Sequence, residues 1–150
     1  MDMEKKVKGL KGRRTQGGVG LLEVLIAVLV LAIGILGIAA LQAITLKNSG
    51  SSAARTQASM QVYSMFDIIR GNRTNISVYN TNTYQTGDGQ GVAGSMGGWL
   101  DSLQTTVSPD AAGKIICDAD TQICEVGVRW NDERATGGSQ TQELVIRSRV

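Results

Sequence analysis

Residues 13–42 read RRTQGGVGLLEVLIAVLVLAIGILGIAALQ, and the architecture follows from this stretch. Two arginines and a Gly-Gly pair precede four uncharged residues and a lone acid, Glu23, after which eighteen uncharged apolar residues run from Val24 to Leu41. At a rise of about 1.5 Å per residue that run makes a helix of about 27 Å, close to the hydrocarbon thickness of a bilayer. It has no polar stripe, so the pattern predicts a span that faces lipid or other helices, with a buried core helix as the alternative. A carboxylate inside a membrane costs roughly 2.5–3.5 kcal/mol on insertion scales, so Glu23 calls for a named partner. The plainer reading is an acid that snorkels toward headgroups near a helix end.

Ahead of the run lie Lys5, Lys6, Lys8, Lys11, Arg13 and Arg14 against Asp2 and Glu4. Such a basic cluster stays on the cytoplasmic side, which sends the chain beyond Leu41 across the membrane. A secretory signal peptide also starts basic, but its apolar region is about 7–15 residues and its cleavage site follows that region. This run is longer, and an acid stands at its front. Residues 1–18 hold six basic and two acidic side chains, so the net charge of +2 becomes −2 without them. The basic character therefore belongs to the leader, and nucleic-acid binding by the remainder is not expected.

The basic leader, Gly18, Val19-Gly20-Leu21-Leu22-Glu23 and the apolar run together resemble the class III signal of type IV prepilins and pseudopilins. The resemblance implies cleavage by prepilin peptidase between Gly18 and Val19, N-methylation of Val19, and Glu23 as the fifth residue of the mature chain. It departs from the family in starting with Val19-Gly20, where Phe and then Thr or Ser are usual. The residues themselves support the chemistry. Glycine at the cut lets a protease approach an extended backbone, and cleavage leaves an ammonium at the head of an apolar helix. The carboxylate of Glu23 then matches the amine of a neighbour shifted along the axis, a pair that specifies register more than it adds stability.

Beyond the span, Lys47-Asn48-Ser49-Gly50-Ser51-Ser52 is a weak helix former, where the helix is expected to fray, kink or restart. Ala54, Ala58, Val62, Met65, Phe66 and Ile69 then recur at three- and four-residue spacing, and Gly71-Asn72 supplies a stop. Residues 21–70 thus read as one long or briefly interrupted helix with an apolar first half and an amphipathic second half. Met65, Phe66 and Ile69 are core residues at this spacing, not a cofactor box. The segment RTQASMQVYSMFDIIRGNR, Arg55 to Arg73, is similar to minor pilins of the PilV, or pilus-modification, group.

Thr74 to Gly98 is rich in Asn, Thr, Ser and Gly and reads as one long loop. Its GDGQG lacks the preceding strand and following helix of a phosphate-binding fingerprint. The two glycosylation sequons at Asn72 and Asn75 carry no conclusion. Trp99, Leu100, Leu103 and Val107 suit a short helix, and Ser108-Pro109-Asp110 a turn. Three strands are expected at Lys114–Cys117, Ile123–Trp130 and Glu143–Arg149, the second with Cys124, Val126, Val128 and Trp130 on one face. A hairpin between the first two brings Cys117 and Cys124 opposite each other, and an oxidising periplasm would join them as a disulfide.

The chain has no histidine, and two cysteines with six residues between them are not a zinc half-site. Asp118 and Asp120 begin like a calcium loop, without the glycine and glutamate that complete one. No nucleophile, base and acid assemble into a catalytic set, so no enzyme activity, metal or cofactor is expected.

The reading is therefore an α+β, type IV pilin-like fold: a long N-terminal helix, membrane half plus amphipathic half, packed on a small antiparallel β-sheet. Residues 1–18 form a cleaved leader, 19–46 the transmembrane and assembly half of the stem, and 47–150 a periplasmic globular domain with the rest of the stem. The resemblance implies a minor pilin of the inner membrane and then of the pilus. Its expected partners are other minor and major pilins, prepilin peptidase, the inner-membrane pilus assembly machinery and the lipid bilayer. A minor pseudopilin of a type II secretion system and a membrane-tethered periplasmic binding domain are the alternatives.

Overall fold

The computed structural model describes Gly18 and residues 20–150; residues 1–17 of the leader and Val19 lie outside the described residues. The first element, α1, is an unbroken helix over Leu21–Gly71. A short 3-10 stretch, Arg73–Tyr79, follows it, and then a second α-helix, α2, Met96–Thr106. Strands β1 (Ala112–Asp118), β2 (Ile123–Trp130) and β3 (Gln142–Arg149) close the chain as one antiparallel sheet in the order β1-β2-β3. Chain contacts divide the molecule into two units, one ending at Ala39 and the other Ala40–Val150.

In the first unit, among the described residues, only the N-terminal part of α1 is present, and every residue of α1 from Leu21 to Ala39 is exposed. That distribution is the opposite of a core helix: among the described residues the longest apolar run is exposed.

The second unit buries the amphipathic half of α1. Ala58, Val62, Met65, Phe66 and Ile69 form the stripe that the spacing predicts, and they pack with Trp99, Leu100 and Leu103 of α2 and with Ile115, Val126, Val128 and Trp130 of the sheet. Each large apolar side chain removed from water in this way contributes about 1.5–3 kcal/mol. α2 is fastened to α1 by polar contacts as well. The Trp99 indole N–H donates to the Gln61 carbonyl at 2.8 Å, and the Ser102 hydroxyl donates to the Gln61 side chain at 2.9 Å.

The expected weakness at residues 47–52 produces no break, and the loop between β2 and β3 supplies the reason. Asn48 accepts the Thr136 N–H at 3.1 Å, Ser51 donates to the buried Asp132 carboxylate at 2.5 Å, and Arg55 donates to Gln142 at 3.1 Å. A sequence of poor intrinsic propensity is thus splinted into helix by side-chain bonds from a neighbouring segment, a tertiary override of local preference.

The 74–98 region is more ordered than its composition predicts. The 3-10 stretch anchors through Ile76, which is buried, and α2 starts inside the expected loop with Ser95 as its N-cap, accepting the Gly98 N–H at 3.1 Å. Between them the chain lines the outer edge of β1. Asn80 exchanges side-chain bonds with the Cys117 backbone, the Thr81 N–H and hydroxyl serve the Ile115 backbone, and Gln85 bridges Gly113. The glycine cluster then wraps the Asp101 carboxylate, which accepts the N–H groups of Gly89 and Gly91 at 2.8 and 2.7 Å. Close approach is why glycine is required: a Cβ on Gly91 would lie 2.1 Å from the Gly97 carbonyl carbon, and one on Gly98 2.2 Å from the Val92 oxygen.

Candidate functional site

The residues that the sequence singles out for function gather at the start of α1. The Gly20 carbonyl accepts the Glu23 N–H at 2.9 Å and the Val24 N–H at 3.3 Å, so Gly20 is the residue at which extended chain becomes helix. Gly18 and Gly20 are both exposed, with nothing near the place a Cβ would occupy. The proposed cut itself involves Val19, which lies outside the described residues.

Glu23 sits in the first turn of α1. The unpaired N–H groups and the positive end of the helix dipole favour an acid at that position by about 0.3–1 kcal/mol in exposed settings, a local contribution that needs no second subunit. Among the described residues Glu23 has neither a salt bridge nor a side-chain hydrogen bond. It borders a shallow groove on one helix face, lined by Glu23, Val24, Ala27, Val28 and Leu31. Ala27 is the small residue between larger aliphatic ones, the relief into which a side chain of another helix fits.

Cys117 and Cys124 are joined by a disulfide, and they are direct cross-strand partners in the β1–β2 register. The Cys117 N–H and carbonyl are both turned outward to Asn80, which makes Cys117 and Cys124 the closely spaced, non-hydrogen-bonded type of pair, with side chains near each other on the core face. The bond closes the turn at residues 118–123. In that turn the side chain and N–H of Thr121, then the N–H of Asp120, hydrogen-bond the Asp118 carboxylate and hold it below the usual carboxylate range.

Two groupings carry no signal that residue spacing reveals. One is the set Asn48, Ser51, Arg55 and Asp132 that holds the helix together, with Asp132 only 7% exposed. The other covers the outer face of the sheet. The Tyr84 ring lies 4.5 Å from the Arg129 guanidinium carbon and 5.2 Å from the Lys114 ammonium, and its hydroxyl donates to Glu143. Burial, and next the bond to Glu143, push the Tyr84 phenol well above its ordinary pKa, against a smaller opposing pull from Arg129. Gly127 makes room for this ring, since a Cβ there would stand 2.6 Å from the Tyr84 oxygen. No group of three or more metal-ligating side chains occurs among the described residues.

Residues 13–39 match the family model described as the prokaryotic N-terminal methylation motif. The match contains Gly18, Val19, Glu23 and most of the apolar run, and it supports a prepilin-like protein: a pilin or pseudopilin type of substrate for prepilin peptidase. No curated protein and no solved structure matches the chain.

Proposed function

We propose that this chain is a minor pilin, cleaved between Gly18 and Val19, N-methylated on Val19, and built into a type IV pilus through its stem helix. The observation that carries the reading is the overlap of the methylation motif at residues 13–39 with an apolar helical run that is exposed among the described residues. A helix of this kind needs lipid before assembly and other helices after it. The α+β arrangement behind it, a long helix laid on a three-stranded antiparallel sheet, is that of a pilin-like domain.

The chemistry runs in order. Peptidase removes the basic leader, and the new amine becomes the positive head of the stem. In the apolar interior of an assembly that charge seeks an anion, and Glu23 of an adjoining subunit is the anion at hand. Both charges are desolvated, so a wrong register leaves them unpaired, which costs more than the matched pair returns. The chain then serves as a structural subunit with no catalytic role. The proposed boundaries follow: leader 1–18, span and assembly segment 19–46, periplasmic domain 47–150 with its Cys117–Cys124 disulfide formed after export.

A pseudopilin of a type II secretion system shares the motif and the stem. Deletion of the gene separates the two: loss of surface pili with normal exoprotein secretion is expected, and the reverse pattern assigns the chain to secretion.

A further inference from the structure

Within Ala40–Val150 a cleft of about 820 Å³ opens beside α1, just beyond the apolar run. Leu46, Lys47 and Gly50 of α1 line one side; Pro109, Trp130 and Arg134 line the other, with Asp132 buried at its base. Small-molecule sites occupy about 300–1,000 Å³, so the space is of ligand size.

Two features narrow the occupant. Leu46 is the last residue of the uncharged stretch that begins at Val24, and Lys47 is the first charge after Glu23. The cleft therefore begins where a membrane-crossing α1 passes from hydrocarbon to the headgroup layer. Its charges have both signs. Lys47 and Arg134 are exposed cations in the lining, Asp110 and Glu133 are exposed anions, and Asp132 has one carboxylate oxygen bonded to Ser51 and 3.9 Å from the Arg55 guanidinium, the other without a bond among the described residues. A purely anionic ligand meets repulsion in such a site, whereas a zwitterion finds a partner for each end.

We propose that this cleft binds the headgroup of a zwitterionic phospholipid, a phosphate diester carrying a primary ammonium, with Lys47 and Arg134 on the phosphate and Asp132 on the ammonium. Such a lipid tethers the globular domain to the membrane surface. The proposal rests on the reading that α1 crosses a membrane, and not on pilus assembly.

The test uses the full processed chain in detergent micelles, titrated with dihexanoyl-phosphatidylethanolamine and followed by native mass spectrometry. Gly50→Leu fills the cleft from the helix side. A Cβ at Gly50 meets nothing within 4 Å and leucine is the better helix former, and an unchanged circular dichroism spectrum and melting temperature check that the variant keeps its fold. Lys47→Gln removes one phosphate contact at an exposed position. Saturable binding of one lipid is expected, weakened at least tenfold by Gly50→Leu and severalfold by Lys47→Gln, with dihexanoyl-phosphatidylglycerol at least tenfold weaker than the ethanolamine lipid. Equal binding by Gly50→Leu, equal binding of the two lipids, or free phosphoethanolamine binding as tightly as the lipid overturns the assignment. Membrane fractionation of the same chain is scored separately. A chain recovered in the soluble fraction sinks the membrane reading, whereas a membrane-integral chain without lipid selectivity sinks only the cleft.

Discussion

At the scale of single residues, Glu23 and Tyr84 pose opposite problems. Glu23 is exposed at the head of a helix and has a modest local reason to be acidic, so its role in assembly is decided by function and not by fold. Glu23→Ala is expected to leave expression, export and the disulfide intact, because nothing in the folded domain leans on it. Surface pili should nevertheless fail to form or be complemented, as counted by electron microscopy of the deletion strain carrying the variant; normal piliation would remove the register role. Tyr84 is held by burial and by Glu143 in its neutral form, with its phenol pKa raised. The unfolded phenol ionises near pH 10 while the folded one stays protonated, so the stabilisation is complete below about pH 10 and is lost as pH rises through the folded value. Denaturant titrations between pH 9 and 11 should show the wild type losing stability over that window. Tyr84→Phe should start lower, lacking the bond to Glu143, and lose less. Parallel curves for the two would contradict the assignment. The Cys117–Cys124 bond belongs to the same scale. Closing so short a loop is worth roughly 2–3 kcal/mol in the chain-entropy model, and the Cys117→Ser, Cys124→Ser double variant should lose about that much in urea denaturation.

At the scale of elements, α1 shows how helix persistence depends on its neighbours. Residues 47–52 have poor helix propensity, yet α1 continues through them because Asn48, Ser51 and Arg55 are tied to the β2–β3 loop and its start of β3. Asp132→Ala removes the acceptor for Ser51 and the nearby counter-charge of Arg55 at 3.9 Å. Amide hydrogen exchange should then accelerate about tenfold or more across residues 47–53 while the β1–β2 ladder keeps its protection; uniform acceleration everywhere, or none at all, would refute the splint. The same elements show what a sequence displays and what it conceals. The stripe from Ala58 to Ile69 and the alternation of Cys124, Val126, Val128 and Trp130 are periodic, and periodicity is readable because one face of each element meets the core. β1 is longer than expected because Ala112 and Gly113 carry no β-branched signal. Gly113 is admitted by the Trp99 ring lying against it, where a Cβ would be 2.4 Å away. The 3-10 stretch and the glycine wrap around Asp101 are hidden for a related reason. Their order comes from backbone groups meeting side chains distant in sequence, and composition alone reports only that such segments are polar and rich in glycine.

At the scale of the whole molecule, a domain with its own buried core, Ala40–Val150, shares a helix with an apolar segment that is exposed among the described residues. The methylation motif at the head of that segment supports processing by prepilin peptidase. Pilin and pseudopilin readings both require that step, as does the register role of Glu23, because only a liberated amine supplies its partner. The most direct measurement is the intact mass and N-terminal fragment sequence of the chain recovered from the membranes of a strain in which it functions. The expected product lacks residues 1–18 and begins with a monomethylated Val19, and it disappears in a strain without prepilin peptidase. A functional chain that keeps its lysine-rich leader, or one cut beyond the apolar run, would contradict the proposed role.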